Sequence, residues 1–212
     1  TGATHRWSGS AAGADAPERR GYRTAVSLGT AMRCSTGLRR LVLVLGAWLS
    51  TSSIANAEVP TGYRLVAGHY GIPAEVLYAV GLAESARQVD STGTVRPWPW
   101  TLNVQGKGFF YASRTQVQQA LDSFLDVGFD SIDIGLMQVN WRYHRQHLEN
   151  PQLAFDPYHN LRVAAKILQD CHQSRQDWWE AVGCYHAPNN PYRADRYRAR
   201  VFKHWQRVSR RG

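Results

Sequence analysis

Beyond about residue 60 the apolar positions recur mainly at helical spacing, and strand-like alternation is scarce. Residues 62–70 can form a short helix, and Ile72-Pro73 opens a second, with Pro73 tolerated at the first helical position. The pattern carries this second helix to about Arg87. Within it Leu77, Val80 and Glu84 follow i, i+3, i+7 spacing and share one face. A carboxylate that continues an apolar stripe is desolvated, and burial raises its pKa, so it keeps a proton that it can donate. Ser113 caps a helix reaching about Val127, and Gly135 to Asn140 is a turn before a helical stretch with Trp141, His144 and His147. Asp156-Pro157 opens a helix with Leu161, Ala165 and Leu168 on one face. Asp177 caps the next, where Trp178, Val182 and Tyr185 align, and a last amphipathic helix covers about 192–207. Between them, 91–112 is irregular, with Thr101-Leu102-Asn103-Val104 as a short strand. The expected class is mainly α, a single domain with a small irregular or β-containing insert after the helix that bears Glu84.

The N-terminal quarter reads differently. Residues 41–49, Leu-Val-Leu-Val-Leu-Gly-Ala-Trp-Leu, follow Arg33, Arg39 and Arg40 and precede Ala55-Asn56-Ala57. The run falls short of the roughly 20 apolar residues that span a bilayer. A basic start, a short apolar run and an A-x-A site describe a secretory signal peptide over 32–57, beginning at Met32; an uncleaved membrane anchor is the alternative. Residues 1–31 carry no apolar period and read as upstream mistranslation or a disordered extension. The folded catalytic domain is then 58–212, exported to the periplasm or cell envelope, with no permanent membrane span after cleavage.

Export changes the reading of the cysteines. Cys34 leaves with the signal, and Cys171 and Cys184 remain as a pair that an oxidising compartment would join, with two buried thiols as the alternative. Charge is uneven too. From residue 58 onward 18 Lys/Arg face 14 Asp/Glu, while 193–211 alone hold eight basic groups against Asp195. That basic end could attract anionic wall polymer, lipid headgroups or a partner protein; a solvated helix face explains it equally. No basic motif with interleaved aromatics supports nucleic-acid binding.

Four segments in order carry the candidate chemistry: Glu84-Ser85 at a helix end; Gly135-Leu136-Met137-Gln138-Val139-Asn140; Phe155-Asp156-Pro157 with Asn160-Leu161 and Ala164-Ala165-Lys166-Ile167-Leu168; and Val182-Gly183-Cys184-Tyr185-His186-Ala187-Pro188. Together with Tyr197 and Val201 they resemble the lytic transglycosylases with the soluble-transglycosylase-type, lysozyme-like domain, over most of 58–205. The resemblance implies a single catalytic acid/base, Glu84. It would protonate the bond between N-acetylmuramic acid and N-acetylglucosamine in peptidoglycan, then take a proton from the muramic C6 hydroxyl to close a 1,6-anhydro ring. It also implies substrate contacts from Ser85, Met137, Gln138, Asn140, Tyr185 and Tyr197, with the Tyr185 hydroxyl near the Glu84 carboxyl. Two departures stand out. His186 and Pro188 replace the usual Asn and Gly; His186 could substitute as a hydrogen-bond partner or be structural. Asp133, in Ser131-Ile132-Asp133-Ile134-Gly135, resembles the second carboxylate of animal-type lysozymes, or merely caps the turn.

The leading expectation is thus a peptidoglycan lytic transglycosylase that opens the wall locally for a secretion, conjugation or pilus assembly. The short domain, the Pro97-Trp98-Pro99-Trp100 insert and Tyr185-His186-Ala187-Pro188 look like the specialised enzymes of such machines. One rival is a muramidase hydrolysing with Glu84 and Asp133; another is a non-catalytic wall-binding subunit. Trp98 and Trp100 either stack on sugar or pack under the loop. No cofactor is expected, and no metal: His144/His147 and His69/His159 lack a third ligand.

Overall fold

The computed structural model describes residues 58–210; the expected extension over 1–31 and signal peptide over 32–57 lie outside them. The described residues form eight helices and two small sheets, with an apolar helix at the centre of the core. α1 (Thr61–Tyr70) ends where Gly71 turns into the left-handed region at φ 66°, and α2 (Ala74–Ser85) follows at once. α2 is buried almost all round, through Val76, Leu77, Tyr78, Ala79 and Val80, which marks it as the central helix rather than a surface one. Gly81 is required there: a Cβ would sit 2.4 Å from the Tyr63 hydroxyl.

α2 stops at Ser85, two residues short of the expected end, because Ala86–Gln88 is drawn into a strand. This strand, β1, pairs antiparallel with β2 (Val95–Pro97). β3 (Thr101–Val104) then lies inside a four-stranded antiparallel sheet of order β4-β3-β5-β6, with β4 Lys107–Phe110, β5 Ile132–Ile134 and β6 Val139–Asn140. The 91–112 stretch is therefore more regular than its sequence suggests. The inward residues of this sheet, Leu102, Ile132 and Ile134, are fully buried.

α3 (Arg114–Asp126) interrupts the sheet and is capped by Ser113, whose side chain accepts from the Gln116 N–H. α4 (Trp141–Leu148) and the one-turn α5 (Pro151–Ala154) lead to α6 (Pro157–Arg175), capped by Asp156. α7 (Trp178–His186) is capped by Asp177 and α8 (Pro191–Ser209) by Asn190. The broadest packing joins α2 to α8, α6 to α7 and α7 to α8. A disulfide joins Cys171 on α6 to Cys184 on α7. No single helix among the described residues is long and apolar enough to cross a membrane.

One polar residue locks helices to sheet. Asn160, wholly buried on α6, accepts from the Met137 N–H at 3.0 Å and donates to the carbonyls of Ile134 and Ala154. Gly135 makes this possible. Its φ is +81°, and a Cβ there would fall 2.6 Å from the Asn160 amide. The β5–β6 turn is thus held rigidly against α6.

Candidate active site

The end of α2, the β5–β6 turn and the start of α8 enclose a cleft of about 900 Å³. Glu84, in the last turn of α2, is half-buried on its floor. Its Oε1 accepts a 2.5 Å hydrogen bond from the Tyr197 hydroxyl of α8. Desolvation dominates the acid's proton affinity and lifts its pKa to about 7. The Tyr197 bond and the Arg200 charge oppose this, and the charge of Asp133 adds to it. A carboxyl poised near neutrality can both give and take a proton. With Oε1 engaged as acceptor, Oε2 is the oxygen left to carry that proton.

Asp133 stands on β5 and lines the same cleft. Burial raises its pKa, against a 2.8 Å hydrogen bond donated by the Asn140 amide and the charge of Arg193. Gln138 also lines the cleft, at φ 50°, with its amide donating to the Gly135 carbonyl at 2.9 Å. Glu84, Asp133, Gln138, Asn140 and Tyr185 are thereby brought together.

The other expected contacts fall elsewhere. Ser85 is 1% exposed; its hydroxyl donates to the Leu136 carbonyl and accepts from the Trp98 N–H, so it braces the β5–β6 turn instead of meeting a sugar. The Met137 side chain is fully buried, with its sulfur under the Tyr63 hydroxyl. Tyr197 is buried beneath the cleft as the partner of Glu84, and not as a wall. The Tyr185 ring lines the cleft, but its hydroxyl donates to the Met137 carbonyl at 2.7 Å and not to Glu84. The Tyr197 phenol thus takes the part expected of Tyr185 and orients the acid, while the Tyr185 hydroxyl ties down the turn. Burial raises both phenol pKa values far above 10, so both stay donors.

Neither Trp98 nor Trp100 lines the cleft. They meet edge to face, Trp98 donates from Nε1 to the Tyr111 carbonyl, and Arg87 lies over its ring. The rings pack under the insert. His144 and His147 do not join further ligands: among the described residues no three His, Cys, Asp or Glu side chains group as metal ligands. Sequence reasoning missed Arg193 and Arg200, which line the cleft opposite Glu84. The signal was present in the three- and four-residue steps of arginine along α8, which net charge alone conceals. His186, expected either as a hydrogen-bond partner or as a structural residue, stacks on Tyr197 at 4.3 Å with planes 3° apart.

Three similarities bear on this site. The transglycosylase SLT domain family matches residues 65–207. The invasion protein IagB of Salmonella typhimurium and that of Salmonella typhi are each 35% identical over 86 residues, 37% of this chain and 53% of theirs. The chain thus spans about half the length of the curated relatives it matches. No solved structure matches it. With that family match across the helices and turn that build the cleft, the chain belongs to the transglycosylase SLT domain family, the lysozyme-like lytic transglycosylases.

Proposed function

We propose that this protein is an exported peptidoglycan lytic transglycosylase with Glu84 as its only acid/base. The observation that carries the reading is a cleft carboxyl lifted to about pH 7 and held by Tyr197. In the first half-reaction the proton on Oε2 passes to the glycosidic oxygen between N-acetylmuramic acid and N-acetylglucosamine. The C1–O bond breaks and an oxocarbenium-like centre develops at C1. In the second, the Glu84 carboxylate takes the proton of the muramic C6 hydroxyl as that oxygen bonds to C1. The enzyme regains its proton and no water is consumed. The Tyr197 phenol keeps the carboxylate oriented between the two steps.

A muramidase reading has one observation of its own: Asp133 lines the same cleft and its charge reaches Glu84. Digesting purified peptidoglycan and weighing the fragments decides. Anhydro ends lack one water relative to reducing ends, and exclusively reducing ends would replace the transglycosylase with the hydrolase. A non-catalytic wall-binding subunit predicts that Glu84→Gln leaves the biological role intact.

Export rests on the basic, apolar and Ala55-Asn56-Ala57 pattern of 32–57. N-terminal sequencing of envelope-fraction protein should begin at Glu58. The assembly served is a secretion, conjugation or pilus machine; similarity to proteins named for invasion and the specialised insert support this part of the reading. Deleting the chain should impair assembly of that machine while general growth continues.

A further inference from the structure

Arg193, Arg196, Arg200, Lys203, Arg207 and Arg210 follow one another along α8 and its cap at steps of three or four, so they form one stripe. All six are exposed, and none joins an ion pair among the described residues. Arg198, on the opposite flank, pairs with both Glu180 and Asp195. Like charges at helical spacing repel one another, so an unpaired row offers its field to an external anion.

The row begins at the site. Arg193 and Arg200 line the cleft that holds Glu84, and with Arg196, His186 and Tyr197 they line an adjoining hollow of about 370 Å³. Three guanidinium groups and no carboxylate face this hollow. Its floor is fixed, because His186 stacks flat on Tyr197 and Arg200 lies 5.0 Å over the same ring. His186 is held near pKa 4 by burial and by the charges of Arg200 and Arg193, so at neutral pH it is an uncharged hydrogen-bonding group. Planar guanidinium forks suit carboxylates, which they can grip with two parallel bonds.

We propose that this hollow is a carboxylate subsite, which binds the anionic group borne on the muramic acid side arm while the glycan occupies the cleft. The group is either the free lactyl carboxylate of a bare strand or a carboxylate of an attached stem peptide. This rests on the peptidoglycan reading above.

The test measures equilibrium binding to Glu84→Gln protein, which holds the glycan without cutting it. Three soluble strand fragments are compared: one with free stem-peptide carboxylates, one with those carboxylates converted to amides, and one stripped of peptide so that the lactyl carboxylate is free. At least one carboxylate form should bind about tenfold more tightly than the amide form, the size expected of one charged hydrogen bond. Adding Arg196→Gln, which alters the hollow without touching the cleft wall, should abolish that advantage and leave the amide form unchanged. Arg210→Gln, about 21 Å further along the helix, should have no such effect. A stripped strand that alone binds more tightly than the amide form names the lactyl carboxylate as ligand; a peptide form that alone does so names the stem, and both doing so shows a subsite that accepts either carboxylate. Equal binding of all three, or equal losses from Arg196→Gln and Arg210→Gln, overturns the subsite. Failure of the peptidoglycan reading registers separately, as uncut glycan in wild-type digests.

Discussion

On the α2 and β-turn side of the cleft, most polar groups are engaged with one another. Ser85 bonds to the backbone of Leu136 and Trp98, Asn160 to three backbone groups, and Gln138 to Gly135. On the α8 side, Arg193 and Arg200 face the same space with no ion-pair partner among the described residues. One wall is therefore built for rigidity and the other for an anionic visitor. Glu84 sits where they meet, made acidic or basic by the balance between burial on one side and Tyr197 with Arg200 on the other. Preorganised walls of this kind place charge without reorganising at the moment of reaction.

The largest expected effect breaks the acid at the junction. Glu84→Gln should lower glycan cleavage about 10³-fold, read as soluble fragments released from purified peptidoglycan. The same variant should become more stable at alkaline pH. Between pH 4.5 and about 7 the folded chain keeps a proton on Glu84 that the unfolded chain has released, so wild-type stability falls as pH rises through that window. The cost reaches up to about 3 kcal/mol above pH 7, and denaturant titrations of the variant should lack that slope. On the rigid wall, Asn160→Ala strands the Met137 N–H and two carbonyls and should cost about 3 kcal/mol by urea unfolding. Replacing Cys171 and Cys184 by Ser should cost about 2 to 3 kcal/mol, since the bond closes a loop of sequence separation 13. Mass analysis should also show a gain of two hydrogens on reduction of the wild type. On the α8 side, beneath the open wall, Tyr197→Phe removes the donor that favours the carboxylate. The alkaline limb of activity should then move up by about one pH unit, about 1.4 kcal/mol; an unmoved limb would separate Tyr197 from the titration of Glu84.

The same contrast sorts what the sequence disclosed. Glu84 was legible because it extends the Leu77–Val80 stripe, a local pattern. The caps Ser113, Asp156 and Asp177 were legible for the same reason. Neighbours in a motif were not separable, since adjacent residues point different ways: Glu84 faces the cleft and Ser85 the interior, Gln138 the cleft and Met137 the core. Which tyrosine meets the acid depends on a contact across 113 residues of chain, which no local spacing encodes. The sheet was hidden likewise, because β3 and β5 are two short strands paired across the intervening helix α3.

The central claim is that Glu84 holds its proton up to neutral pH inside the cleft. Carbon-13 NMR of the labelled side-chain carboxyls, assigned by comparison with Glu84→Gln, measures it directly. The account predicts one glutamate signal that titrates near pH 7 and vanishes in the variant. A Glu84 signal titrating near the ordinary value of 4.5 would contradict it.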